Sequence, residues 1–376
     1  MKFLVILNIT LFLITCINCS FQASIFNKIC KEKKGENIII SPLSIFQVLS
    51  LTANGAKGDT LSEMLEVLEA KTLDELNDIN YNIISTIKEF TTVEIANAVM
   101  SRFTPLETFS QIGKEYLAPV EPLISAEQVN NWCSNKTHGK IDKIIEELEP
   151  DIALILLNAV YFKGEWSLKF EEYSTKKLRF YNFGNDKIEV DTMSQIEYFK
   201  YYQDKKVQAI ELSFLKDYMS AIILLPAEGT DINKYIDSLS ISNDEFENII
   251  NGLKYAEVHL ELPKFELEYE KELNQILIDL LMYNAFSSSD ADFTGLRKQG
   301  NLYIDKVIHK TYLKVFEDGC EAAAVTIVEM KESAVYHDKE KIINMKVNRP
   351  FIFLLKNNLL PRGLDLLFMS KIEKLE

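Results

Sequence analysis

"EDGCEAAAVTIVEMKESAV", residues 317–335, combines one glycine, three consecutive alanines and a β-branched run, and the secondary structure it takes decides the fold. At period two, Cys320, Ala322, Ala324, Thr326, Val328 and Met330 fall on one side, and Glu321, Ala323, Val325, Ile327, Glu329 and Lys331 on the other. All the charges then share one face. The uncharged face is small at its start and larger towards its end, as a strand sliding into a tight slot between two existing strands requires. A helix would align Glu321, Val325 and Glu329 in one row, and the alanines favour it, but Val325-Thr326-Ile327-Val328 is poor helix material. Downstream, residues 331–346 mix charge, Ser, His and Asn with little alternation, which predicts an exposed loop ahead of Arg349-Pro350 and an apolar strand at 351–355.

Outward from this stretch, helical spacing dominates the first half of the chain. Phe21, Ile25 and Ile29 recur at that period, Ser41-Pro42 opens a second helix, and further helices are expected at 60–69, 73–89, 109–116 and 126–147. An apolar run at 151–162 and segments 187–193, 198–202, 208–213, 219–225 and 256–268 predict strands, with a helix interposed at 269–282. No Pro-, Gly- or Ser-rich linker and no repeat divides the chain. Long helices first and many strands after them predict one segregated α+β domain rather than alternating βαβ units.

The 376 residues, 47% of them hydrophobic, suffice for a large core. A formal net charge of -15 argues against nucleic acid as a partner, because phosphate contacts need a basic surface. Residues 1–20 carry one Lys, a short apolar run and small residues near Cys19 and Ser20, the pattern of a signal peptide too short to span a bilayer comfortably. The expectation is a secreted chain, 21–376, with no membrane partner. It retains Cys30, Cys133 and Cys320, an odd and widely spaced set that predicts free thiols rather than a disulfide framework. Asn135-Lys136-Thr137 is a possible glycosylation sequon.

Catalytic motifs are missing. His138, His259, His309 and His337 are too scattered for metal-ligand spacing, and C-x-x-C, H-E-x-x-H, P-loop and G-x-S-x-G patterns do not occur. Neither a metal nor a cofactor is expected, and the chain does not look like an enzyme. A strand-competent segment beside an accessible tether has instead the properties of bait for a protease.

Seven stretches in order resemble the serpin family, over essentially all of 21–376. They are "NIIISPLSIFQVLSLTANGAKGDT" (37–60), "VNNWCSNKTHGKIDKII" (129–145), "LNAVYFKGEWSLKF" (157–170), "LELPKFELEYEKEL" (260–273), "ADFTGL" (291–296), "VIHKTYLKVFEDGCEAAAVT" (307–326) and the terminal "NRPFIFLLKNN...DLLFMSKI" (348–372). The resemblance implies an α+β serpin fold of about nine helices and three β-sheets, with an exposed reactive-centre loop at about 317–346. It also implies a suicide mechanism: a serine protease cuts the loop, forms an acyl-enzyme, and is trapped when the freed segment inserts into the central sheet as a new strand.

By the same resemblance, Glu317, Gly319, Cys320, Glu321, Ala322, Ala323 and Ala324 form the hinge that enters first. Glu317 with Lys264 is similar to the family's ion pair at the breach where insertion begins, beside Trp166. Ser41, Ser44, Asn158 and His309 resemble the shutter cluster beneath it. Counting by family convention from Glu317 puts the scissile bond at Ser333-Ala334, suited to an elastase-like protease. The loop is longer than relatives usually allow, so Met330, Lys331 and Tyr336 stay open as alternatives, with chymotrypsin-like or trypsin-like targets. Cys320 stands where the family commonly has Thr or Ser. The stretch 103–126 is shorter than its counterpart, and 71–89 carries Asp74, Glu75, Asp78 and Glu89 against few lysines, so no heparin activation is expected. A monomer is expected. Alternatives of different class are a non-inhibitory serpin (carrier, chaperone or storage protein) and an inhibitor of papain-like cysteine proteases.

Overall fold

The computed structural model describes residues 21–88, 90, 93–183, 186–216, 218–241, 243–299, 301–320 and 342–376. Residues 1–20, and with them the signal-peptide reading, lie outside the described residues. So do Glu321, Ala322, Ala323, Ala324, Met330, Lys331, Ser333, Ala334 and Tyr336.

Nine α-helices occur among the described residues: α1 (Phe21–Glu32), α2 (Pro42–Ala53), α3 (Gly58–Val67), α4 (Leu73–Ile87), α5 (Glu107–Glu115), α6 (Ala126–Lys136), α7 (Ile232–Ile241), α8 (Asn243–Gly252) and α9 (Asn274–Asp279). The strands are β1 (Ile38–Ile40), β2 (Val93–Ser101), β3 (Val120–Pro122), β4 (Leu154–Phe162), β5 (Gly164–Glu165), β6 (Lys176–Tyr181), β7 (Lys187–Gln203), β8 (Val207–Ser213), β9 (Met219–Pro226), β10 (Lys254–Pro263), β11 (Phe265–Glu272), β12 (Lys306–Phe316), β13 (Gly319–Cys320), β14 (Ile343–Lys346), β15 (Phe351–Asn357) and β16 (Leu366–Ile372). The α+β class holds. Among the described residues two hydrogen-bonded sheets are traced where three were expected, because β7 runs unbroken through 17 residues and joins both halves of a nine-stranded sheet. The other sheet has seven strands in the order β3-β2-β4-β12-β13-β5, with β11 on β12. β3, within the short stretch 103–126, pairs parallel to β2 and forms the edge of this sheet.

Burial explains the order of layers. All twelve residues of α2 are buried, the hydroxyls of Ser44, Ser50 and Thr52 donating to partners inside the fold, and it packs against β2, β4 and β16 between the two sheets. Every residue of β4 and of β9 is buried, so their continuous apolar runs are covered on both faces. On the far face of the seven-stranded sheet a second core forms, where Val129 and Cys133 of α6, with Ile141, Ile144 and Ile145, lie on Ile155, Leu157, Ile308 and Tyr312.

Three expected elements differ. The helix predicted over 126–147 stops at Lys136, because His138 (φ 52°) and Gly139 (φ 75°) take left-handed conformations that end it. The strand predicted over 256–268 divides at Pro263-Lys264, with β10 pairing to β7 in one sheet and β11 to β12 in the other. Proline has no N–H to continue a ladder, and the crossing holds Lys264 between the two sheets. The helix predicted over 269–282 shrinks to α9, since pairing of β11 with β12 draws Tyr269–Glu272 into a strand.

Candidate functional site

The seam of the seven-stranded sheet runs between β4 and β12, which pair in parallel from Ile155 opposite Lys306 to Tyr161 opposite Tyr312. A polar cluster sits at its middle, in otherwise apolar surroundings. Asn158 lies opposite His309 across the seam and opposite Asn97 on β2. The backbone N–H of Ser41 donates to His309 Nε2 at 3.1 Å, and Ser44 Oγ donates to Asn158 Oδ1 at 2.8 Å. His309 Nδ1 meets Asn158 Oδ1, whose amide in turn donates to Asn97 Oδ1. Because Nε2 accepts from Ser41, the imidazole must be the neutral Nδ1–H tautomer. Complete burial lowers the His309 pKa from 6.5 to about 3, which keeps it neutral. One network thus ties β2, β4, β12 and the start of α2.

Above this cluster the direct pairing of β4 with β12 ends. After Phe316 the chain reverses at Glu317-Asp318, and Gly319-Cys320 return as β13. Cys320 lies opposite Val315 of β12 on one side and Gly164 of β5 on the other. Gly319 and Cys320 are therefore already a strand inside the sheet. Gly319 has φ 153°, and a Cβ there would fall 2.0 Å from the carbonyl oxygen of Gly164, so only glycine fits. Cys320 is completely buried, and burial pushes its thiol well above the ordinary range, so it is a neutral SH. Below β13 the direct pairing of β4 with β12 closes the slot.

The turn is clamped from several sides. Lys264 Nζ lies 2.8 Å from Glu317 Oε2, and Thr175 Oγ1 donates to Glu317 Oε1 at 2.7 Å. Burial alone would raise the Glu317 carboxyl, but the hydrogen bonds from Lys264 and Thr175 hold it below its ordinary value. Lys169 bridges Asp318 (3.1 Å) and Glu165 (3.0 Å). The amides of Trp166 and Phe170 donate to the carbonyls of Asp318 and Glu317 at 2.9 and 3.0 Å. The Trp166 indole N–H reaches Phe316 O at 3.0 Å while its ring stacks on Phe214, centroids 4.4 Å apart.

The structure thus gathers Glu317, Lys264, Trp166, Gly319 and Cys320 at one point, and Ser41, Ser44, Asn158 and His309 at another. Thr175, Lys169, Asp318, Phe214 and Asn97 belong to these clusters and escaped sequence reasoning. Lys169 and Asp318 lay inside the quoted stretches 157–170 and 307–326 without being singled out. Asn135 is exposed at the end of α6, and Cys30, Cys133 and Cys320 are free and buried. No helix among the described residues is long and apolar enough to cross a membrane.

The family model described as Serpin (serine protease inhibitor) matches residues 17–374. Iripin-2 of Ixodes ricinus is 33% identical over 364 residues, covering 90% of this chain and 88% of its own length. Intracellular coagulation inhibitor 2 of Tachypleus tridentatus is 32% identical over 362 residues, covering 91% and 86%. The crystal structure of a thermophilic serpin, tengpin, in the native state superposes with a TM-score of 0.84 at 30% identity, covering 95% of this chain and 92% of that one. These matches identify the chain as a member of the serpin family.

Proposed function

We propose that the chain is a secreted suicide-substrate inhibitor of a serine protease. The observation that carries this reading is the seated hinge: Gly319-Cys320 already occupies the top of the slot between β12 and β5, pointing down a seam that must open to admit more. The protease serine oxygen attacks the carbonyl carbon of Ser333, the bond to Ala334 breaks, and the serine proton passes through the protease's own base to the departing amine. The ester that remains tethers the protease to residues 317–333. Separation of β4 from β12 then lets those residues continue β13 as a full strand and carry the protease along. If about a dozen residues gain about 1 kcal/mol per hydrogen bond, insertion releases on the order of 10 kcal/mol before side-chain burial. Small side chains at Cys320 and Ala322–Ala324 and the lack of proline through Thr326 favour insertion over the non-inhibitory alternative. The inhibitor acts as a monomer and without heparin.

The test is incubation with elastase-, chymotrypsin-, trypsin- and papain-like proteases, followed by denaturing gel and mass determination of the released peptide. A denaturation-resistant adduct with a serine protease, a peptide beginning at Ala334 and a sharply raised melting temperature of the nicked chain are expected. Clean cleavage by every protease with no adduct and an unchanged melting transition refutes the reading.

A further inference from the structure

One face of the nine-stranded sheet keeps large apolar side chains in water beside the point where the chain re-enters the fold at β14. Ile196 is 50%, Tyr198 60% and Tyr255 72% exposed, and Ile342, immediately ahead of β14, is 40% exposed. Register makes them neighbours. Ile196 lies opposite His259, Tyr198 opposite Glu257 and Lys200 opposite Tyr255, so Tyr198 and Tyr255 are diagonal partners on one surface. β14 runs parallel to β10 with Ile343 opposite Val258, which brings Ile342 towards Glu257 and hence towards Tyr198. Exposed hydrophobics scattered singly need no explanation, but a contiguous stripe of four does.

The charges around the stripe are one-sided. Lys200 is tied to Glu211 at 3.0 Å and Lys346 to Glu261 at 3.0 Å. Those lysines are thereby neutralised, and Glu257, opposite Tyr198 on the same face, sets the local sign in a chain of formal net charge -15. A partner must therefore offer an apolar patch edged by Lys or Arg. It must also reach this place, and a protein gripping the chain ahead of Ile342 is brought against the stripe by its grip.

We infer that Ile196, Tyr198, Tyr255 and Ile342 form an accessory docking surface for the target protease, engaging a basic-rimmed apolar area beside its cleft and selecting among proteases that cut the same loop. The inference rests on the inhibitor reading for its occupant. The surface acts before bond cleavage, so it governs the rate of attack rather than the fate of the acyl-enzyme.

The full chain is compared with an Ile196→Ser/Tyr198→Ser/Tyr255→Ser variant, and the second-order rate of loop attack by each cutting protease is measured as adduct plus cleaved product. For at least one protease the variant is attacked about tenfold more slowly, with an unchanged melting temperature and an unchanged ratio of adduct to cleavage. The same protease cuts a free peptide of residues 325–342 as fast as before. Glu257→Gln slows attack about twofold at low salt and flattens its salt dependence. Unchanged rates for every protease overturn the inference, as does an equal fall for all of them, which marks altered loop presentation. Sedimentation showing a dimer that the triple variant abolishes also overturns it, because a second copy then owns the stripe. If proteases cut without forming adducts, the inhibitor reading fails while the attack rates still decide this one.

Discussion

Acidification should loosen the seam through a single side chain. His309 is fully buried, accepts a hydrogen bond from the Ser41 amide through Nε2, and is lowered from 6.5 to about 3. A proton on Nε2 would face that N–H donor and remove the acceptor. The folded chain therefore binds this proton far less readily than the unfolded chain, so the stability it reflects is complete above about pH 6.5 and is lost as pH falls towards 3. Each pH unit inside that window costs about 1.4 kcal/mol, and passing from pH 7.5 to 5.0 removes about 2 kcal/mol. Urea denaturation of the intact chain at the two pH values measures the loss. The control is His309→Gln, which pays about 1–3 kcal/mol at pH 7.5 for the unsatisfied groups. It should show about 2 kcal/mol less pH dependence over the same window, with all other titrating groups common to both chains. An equal pH dependence in the two proteins refutes the reasoning. Should the variant not fold, a His309 imidazole titrating near pH 6.5 by NMR in the folded parent refutes it equally.

Lys264→Ala leaves Glu317 with Thr175 as its remaining side-chain partner, and because the Lys264 side chain is 37% exposed the loss should be small, about 1 kcal/mol, read as a lower urea midpoint. Identical midpoints would mean that the pair does not clamp the turn. Gly319→Val cannot seat, since its Cβ would overlap Gly164 O, so β13 should leave the sheet and Cys320 should react with a thiol reagent at least about tenfold faster than in the parent. Cys30 and Cys133, both buried, supply a slow background. Unchanged labelling would show that position 319 tolerates the side chain.

Much of this was legible in the chain itself, because it is local. The apolar runs at 151–162 and 219–225 and the period of Phe21, Ile25 and Ile29 each describe which faces of a short segment avoid water, and they became β4, β9 and α1; the alternation that starts at Cys320 lies, past Cys320 itself, outside the described residues. The α+β class follows from the same information, whereas the role of Gly319 came only with the family resemblance. Tertiary structure decided which strands meet. Ser41 and His309 are separated by 268 positions, and Lys264 and Glu317 by 53. No periodicity carries such a pairing. Alternation likewise cannot say that Pro263-Lys264 divides two sheets, or that β13 seats after two residues with the seam closed below it. Side-chain pattern reports affinity for an apolar environment, whereas register and sheet membership depend on which backbone donors remain unpaired once the rest of the chain has packed.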